Sequence, residues 1–217
     1  AEFIREQIRE YEQAIQSIRE QQGKKDLSVK QLEKNKERLE EKLEKLIDAP
    51  DKDDNLAFGE LGVDAVFLDE AHEFKNLQYA TSMQRVGGLG NPQGSQKAMD
   101  LFMKVRYTME RTGGNNVVFA TGTPISNTMA EMFTMQRYLD YDTLKAQGIG
   151  TFDGWANMYG EVVTDWELSP SGTYKLNSRF SKFVNLPELM QRYLSFADVI
   201  NRDDINRQLA AQAPTRS

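Results

Sequence analysis

Two adjacent carboxylates, Asp69 and Glu70, are the side chains of this sequence best suited to bind a ligand. They follow residues 63–68, a short apolar segment rich in β-branched and aromatic residues, which is typical of a buried parallel strand. Ligands of open α/β sheets bind at the carboxyl ends of the strands, so we expect both carboxylates at a nucleotide-binding crevice. Because neighbours on an extended strand point to opposite sides, the chain must bend at this strand tip. The small Ala71 is compatible with such a bend.

A second short apolar segment, residues 117–120, is also followed by polar residues. Thr121, Gly122 and Thr123 come next and precede Pro124. This order predicts that Thr123 is the N-cap of a helix, with Pro124 at the first helical position. The capping role explains Thr123 without any catalytic function, so that alternative stays open.

Both segments carry a family resemblance. Residues 69–72 read Asp-Glu-Ala-His after a strand and resemble the Walker B element, or motif II, of superfamily-two DEAH-type helicases and translocases; residues 73–76 are similar to the Swi/Snf-like branch. Residues 121–127 resemble motif III of the same branch. Residues 152–155 and 178–185 are most similar to the helicase regions of phage and mobile-element antirestriction proteins that pair a methyltransferase with a helicase.

The resemblance implies a role for each matching residue. Asp69 would hold Mg²⁺, through a water, and Glu70 would polarise the attacking water. His72, with Thr121 and Thr123, would relay the state of the ATP γ-phosphate to a DNA-binding surface. The structural alternatives are that the two carboxylates only cap a helix and that His72 is a solvated loop residue.

Two expected parts of an ATPase are missing from the sequence. No Gly-Lys-Ser/Thr phosphate loop occurs, and residues 87–97 do not supply one because no strand precedes them and the spacing is wrong. We also find no arginine-rich motif VI of the second RecA-like lobe. We therefore expect a segment of a longer protein that needs the N-terminal part of its first lobe and a second lobe. By itself it should neither hydrolyse ATP nor bind Mg²⁺ and ATP tightly.

Residues 1–50 predict an antiparallel α-helical hairpin, a coiled-coil-like arm. Apolar residues recur at steps of four and three in both halves, and Ser28 with Gln31 reads as a capping box for the second helix. The arm is either a structural insertion or a probe for DNA or a partner protein, and an exposed heptad pattern could also mediate self-association. Residues 51–55 are a polar linker, which places a domain boundary before a lobe spanning residues 51–217.

The remaining elements are less strongly signalled. Residues 78–94 predict a mobile surface loop or, alternatively, a nucleic-acid contact in which Arg85 and Lys97 bind phosphates. Ser95 is the predicted N-cap of the following helix. Further along the chain, residues 152–155 predict the start of a short helix and residues 162–176 a β-hairpin. Residues 185–196 predict another helix, and residues 202–217 a frayed polar tail.

Composition narrows the function classes. The 217 residues include 33 acidic and 27 basic residues, a formal net charge of -6, so any DNA contact must be a local patch. The absence of cysteine excludes disulfides and thiolate metal sites, and no apolar run is long enough to cross a bilayer, which favours a soluble cytoplasmic protein.

The predicted fold class is α/β: a partial RecA-like, P-loop NTPase-type lobe with parallel strands and flanking helices, preceded by the helical hairpin. Two functions remain open. One is part of an ATP-dependent DNA helicase or translocase, and the other is a non-catalytic protein-interaction module on a degenerate ATPase scaffold.

Overall fold

A computed structural model describes residues 2–22, 27–48, 58–83, 86–125, 128–168 and 172–212. The chain divides into two compact units, Ala1–Val184 and Asn185–Ser217. The helices of the first unit are α1 (Glu2–Gln22), α2 (Leu27–Asp48), α3 (Gln96–Thr112), α4 (Met129–Leu139), α5 (Tyr141–Ala146) and α6 (Phe152–Tyr159). Its strands are β1 (Val66–Leu68), β2 (Val86–Gly87), β3 (Val117–Phe119), β4 (Gly160–Leu168) and β5 (Tyr174–Phe183). The second unit contains α7 (Leu186–Phe196) and α8 (Arg202–Gln212).

The two predicted helices of the arm, α1 and α2, run antiparallel. Arg19, late in α1, pairs with Glu33, early in α2. Glu12, earlier in α1, pairs with Lys36, later in α2, as two antiparallel helices require. Most of the described apolar residues of the two heptad patterns are buried, including Ile4, Ile8, Ile15, Leu32 and Leu39, and Leu43 is partly buried. The capping-box prediction at Ser28 is wrong because Leu27 is already helical, whereas an N-cap residue has an extended backbone.

Strands β1 and β3 form a two-stranded parallel sheet in which Val66, Phe67 and Leu68 pair with Val117, Val118 and Phe119. The prediction of a buried strand is only half right. Val66 and Leu68 are partly covered, but Phe67 is 77% exposed and its cross-strand neighbour Val118 is 49% exposed. One face of this sheet therefore lacks a covering layer among the described residues.

The arm packs on the α/β part through side chains of α1. Glu10 accepts a hydrogen bond from the Tyr141 hydroxyl at 3.0 Å and lies 3.6 Å from the Arg137 guanidinium. The Tyr11 hydroxyl accepts a hydrogen bond from the Gln78 amide at 2.8 Å. Arg137 in turn donates to the Gln78 carbonyl at 3.0 Å, so α1, α4 and the segment near residue 78 meet at one buried cluster.

The prediction for residues 78–94 needs correction. Tyr79, Ala80 and Thr81 are buried, and the Tyr79 hydroxyl donates to the Leu89 carbonyl at 2.8 Å. The start of this stretch is part of the core, because the Tyr79 ring packs on Phe133 of α4 and Phe152 of α6, with 6.2 and 4.4 Å between ring centres. Residues 87, 88, 90, 91 and 93 are exposed, so the surface-loop prediction holds for that part of the stretch. The sequence of residues 78–94 is mostly polar, and for that reason it did not predict the burial of Tyr79, Ala80 and Thr81.

Two helix ends confirm or correct the capping predictions. Ser95 caps α3, with its hydroxyl accepting from the Ala98 amide at 3.3 Å, as predicted. Thr123 is not an N-cap, because α4 starts at Met129 and its N-cap is Thr128. Residues 123–125 are not helical, so Pro124 does not occupy a first helical turn.

Strands β4 and β5 form the predicted β-hairpin, which is longer than its pattern suggested. They pair antiparallel from Gly160 opposite Phe183 to Leu168 opposite Tyr174, and β2 adds a short parallel pairing to β5. The base of the hairpin depends on Gly160, because a Cβ there would lie 1.5 Å from the Phe180 ring.

In the second unit, α7 follows Asn185 as predicted, but the prediction of a frayed tail is wrong for residues 202–212, which form a helix; residues 213–217 lie outside the described residues. Helix α8 begins at Arg202, where the Asn201 side chain accepts from the amides of Asp203 and Asp204 at 2.9 and 3.0 Å. Asp204 accepts from the Asn201 amide at 3.1 Å in return, which completes a capping box. Across the described residues of the chain, every helix is too short or too polar to traverse a bilayer.

Candidate functional site

The two segments singled out in the sequence lie side by side at the carboxyl ends of β1 and β3. The Ala120 amide donates to the Leu68 carbonyl at 2.8 Å, and the Ala71 amide donates to the Ala120 carbonyl at 3.0 Å. Backbone hydrogen bonds thus continue past the strand ends to Ala71 and Ala120, which fixes the position of residues 69–72 against the turn at 121–123.

The chain bends at Glu70 itself rather than at Ala71. Glu70 has φ 52° and ψ 44°, a left-handed conformation that non-glycine residues rarely adopt. Such conformations cost ~1–3 kcal/mol and cluster at functional sites. The bend is supported by the Asp69 carboxylate, which accepts from the Glu70 amide at 2.9 Å, and both acids remain exposed to solvent.

His72 connects the first segment to the second. Its Nδ1 lies 3.2 Å from the Thr121 hydroxyl and 3.1 Å from a Glu70 carboxylate oxygen. The same Thr121 hydroxyl accepts from the Thr123 amide at 3.1 Å. One hydroxyl therefore contacts the histidine and orders the backbone of the turn, while a side chain at Gly122 would meet nothing within 4 Å.

The two weaker site predictions have different outcomes. Lys97 is exposed and pairs with Glu73 at 3.0 Å, and its ammonium lies 5.2 Å from the centre of the Phe74 ring. The hydrogen bond from Lys97, with the charges of Lys97 and His72, holds the pKa of the Glu73 carboxyl below its usual value. Arg85 lies outside the described residues.

Helix α4 holds the far end of the segment that contains His72. The Tyr138 hydroxyl donates to the Phe74 carbonyl at 3.2 Å, and Lys75 pairs with Glu131 at 3.2 Å. The sequence did not predict these contacts, because its pattern indicates only that Glu131 and Tyr138 belong to a helix and not which segment they face. They mean that the segment after the bend is supported from α4 as well as from the turn at 121–123.

The donor set suits a magnesium ion bound together with phosphates. Mg²⁺ is held in nucleotide sites by one or two carboxylates, with substrate phosphate and water completing the octahedron. Asp69 supplies an exposed carboxylate beside Glu70, which fits that requirement. The described residues contain no group of three or more acidic or histidine side chains that could hold an ion by themselves.

Comparison with known proteins gives one family and one relative. The family described as "Probable helicase domain" matches residues 1–200. "Defense against restriction protein B" of Escherichia phage P1 is 24% identical over 150 residues, 68% of this chain. The aligned part is 7% of that relative's length, so the chain spans a small fraction of it. No solved structure matches.

Proposed function

The chain belongs to the family of probable helicase domains, and on that premise we propose that it is a segment of an ATP-dependent DNA translocase of the Swi/Snf-like, DEAH-type superfamily-two class. It would contribute motifs II and III of a first RecA-like lobe. The observation that carries this proposal is the contact between His72 and Thr121, because it joins two segments 49 residues apart at neighbouring strand ends.

In this proposal, Asp69 would hold the magnesium ion, and Glu70 would accept a proton from the attacking water or orient it. The ion supplies charge stabilisation at the ATP phosphates when bound. His72 would sense the position of Glu70 through its Nδ1 contact, and Thr121 would transmit that position to the turn through its hydrogen bond with the Thr123 amide. The exposure of Asp69 and Glu70 leaves both free to meet a nucleotide.

The open sheet supports the proposal that further parts of a larger protein complete this site. A parallel sheet is normally covered on both faces, whereas Phe67 and Val118 are exposed here. The N-terminal part of the same lobe, carrying the phosphate loop, would cover them, and a second lobe would close on the nucleotide. We propose a role in defence against restriction, as the name of the phage relative suggests, and a cytoplasmic location.

The test is the Glu70→Gln variant of the full-length protein that contains this chain. Loss of a positioned base is expected to lower DNA-stimulated ATP hydrolysis by roughly 10²- to 10⁴-fold. Glu110→Gln is the matched control, because Glu110 is an exposed acid on α3 outside the site. Near-normal hydrolysis by the Glu70→Gln variant would refute the assignment and favour the non-catalytic scaffold.

A further inference from the structure

The segment that follows the bend, residues 74–80, runs from the candidate site to the arm. Leu77 belongs to the buried cluster that includes Phe102 of α3 and Tyr138 of α4. Further along the same segment, Ala80 belongs to the buried cluster of the arm. One short stretch of chain is therefore anchored in two cores, one beside the candidate site and one in the arm.

Tyr11 of α1 makes polar contacts between the arm and this segment. Its hydroxyl accepts from the Gln78 amide at 2.8 Å and donates to the Tyr79 carbonyl at 3.4 Å. Burial raises the pKa of Tyr11 to about 12, against the opposing effect of the Gln78 hydrogen bond, so the hydroxyl keeps its proton at neutral pH. Tyr11 is fully buried, so bulk water does not compete for these contacts.

Helices α3 and α4 hold the same segment at nearby points. Arg137 donates to the Gln78 carbonyl at 3.0 Å, and the adjacent Tyr138 donates to the Phe74 carbonyl at 3.2 Å. Between them, the Asn76 carbonyl accepts from the backbone amide of the N-cap residue of α3 at 2.8 Å. Residues 75–80 form no helix or strand of their own, so these contacts from other elements set the position of the segment.

The strained bend at Glu70 needs support from the chain on both sides. A left-handed backbone at a non-glycine residue persists only where the surrounding structure over-determines it. Strand β1 holds the chain before the bend. After the bend, the Ala71 amide is bonded to the loop that follows β3 at 3.0 Å, and the next anchors are those of residues 74–79. His72, whose Nδ1 lies 3.1 Å from the Glu70 carboxylate, stands between these two sets of contacts.

We infer that Tyr11 is a positioning residue of the candidate site, which acts through Gln78 on the segment that carries His72. The hydroxyl of Tyr11 fixes the far end of this segment, and the segment in turn keeps the His72 ring against Glu70 and Thr121. The arm thus sets the geometry of a site on another part of the chain. The chemical meaning of this role rests on the proposed function, whereas the positioning itself does not.

The test uses the one histidine of the sequence as a reporter. All imidazole signals in an NMR spectrum of the 217-residue chain come from His72. Tyr11→Phe removes the hydroxyl and keeps the ring, and it should shift these signals because the contacts of the His72 Nδ1 change. Exchange of the Ala71 and Glu73 amides with deuterated water should become about 2- to 12-fold faster, the equivalent of one ~0.5–1.5 kcal/mol hydrogen bond.

A second variant and a matched control separate positioning from a general loss of stability. Gln78→Met removes the same hydrogen bond from the other partner and should reproduce both effects. Ile18→Val is the control, because Ile18 is buried in the same arm cluster about two turns further along α1. Its lost methyl group destabilises the arm about as much as one lost hydrogen bond. Ile18→Val should leave the His72 signals in place and change the exchange of both amides less than about twofold.

Unmoved His72 signals in both Tyr11→Phe and Gln78→Met would overturn the inference. Equal changes in Tyr11→Phe and Ile18→Val would also overturn it, because they would reflect only the stability of the arm. Far-ultraviolet circular dichroism of each variant checks that the chain is folded. If Glu70→Gln leaves ATP hydrolysis unchanged while Tyr11→Phe still shifts the His72 signals, the proposed ATPase role is lost and the positioning role of Tyr11 stands.

Discussion

Replacing Arg137 with methionine tests whether a buried guanidinium joins the arm to the α/β part. Arg137 is 1% exposed, faces Glu10 of α1 at 3.6 Å and donates to the Gln78 carbonyl at 3.0 Å. Its guanidinium also lies 5.3–5.5 Å from the centres of the Phe102, Phe133 and Tyr141 rings. The side chain thus contacts α1, α3, α4, α5 and the segment after the bend.

The magnitude follows from the burial of both charges. Removing one partner of a buried ion pair costs ~3–5 kcal/mol, because the other charge is left without compensation. Methionine fills similar volume, so packing loss adds little. For a chain of this size, 1 kcal/mol lowers the Tm by roughly 2–4 °C, so Arg137→Met is expected to lower it by roughly 6–20 °C.

Thermal and urea unfolding of the 217-residue chain, followed by circular dichroism, would measure the change. Arg19→Met is the matched control, since Arg19 also pairs with a glutamate on another helix but is 49% exposed; it should cost less than ~1 kcal/mol. The double variant Glu10→Leu with Arg137→Met removes both charges and should be no less stable than Arg137→Met alone. Equal losses for Arg137→Met and Arg19→Met would refute the reasoning.

Four further outcomes are expected. Burial raises the pKa of Glu10 above its ordinary 4.5, against the opposing effect of the Arg137 charge. Between pH 4.5 and the raised pKa of Glu10, the folded chain keeps a proton that the unfolded chain has released. The free energy of unfolding therefore falls as the pH rises through this range. Urea unfolding at successive pH values should show a weaker pH dependence of this free energy for Glu10→Gln. Gly160→Ala should destabilise the chain by roughly 1–3 kcal/mol in the same assay, because its Cβ meets the Phe180 ring, whereas Gly87→Ala makes ordinary contacts and should cost less. The isolated chain should show no Mg²⁺-ATP binding by calorimetry, and micromolar affinity would contradict the proposed need for a phosphate loop. In the full-length protein, Thr121→Val should reduce the DNA stimulation of ATP hydrolysis about 2- to 12-fold, the effect of losing one hydrogen bond of ~0.5–1.5 kcal/mol. The same stimulation in the variant and in the unchanged protein would argue against coupling through the Thr121 hydroxyl.

The sequence predicted those parts of the fold that repeat a local pattern. Heptad spacing gave α1 and α2, a serine cap gave the start of α3, and alternation gave the β4–β5 hairpin. It did not predict the burial of Tyr79 or the exposure of Phe67, because both depend on which distant element packs alongside. Propensity describes a residue's local preference, whereas burial is decided by neighbours far along the chain.

At the candidate site, the residue types were predictable but their geometry was only partly so. The order strand, acid, acid places Asp69 and Glu70 at a strand end, and parallel pairing with β3 brings Thr121 near. The left-handed Glu70 backbone was not signalled, since glutamate has no preference for that conformation. Near the other end of the chain, a local pattern could have predicted α8 but was missed: Asn201 and Asp204 form an Asn-x-x-Asp capping box at its start.

The buried cluster around Arg137 has an evolutionary consequence. Because hydrogen bonds and one ion pair link Glu10, Tyr11, Gln78, Arg137 and Tyr141, exchange of the arm between related genes would succeed only if matching residues came with it. We expect recombination breakpoints to avoid the stretch between the arm and α5, and substitutions at positions 10 and 137 to arise in pairs. The arm and the α/β part on which it packs would thus be inherited as a single module.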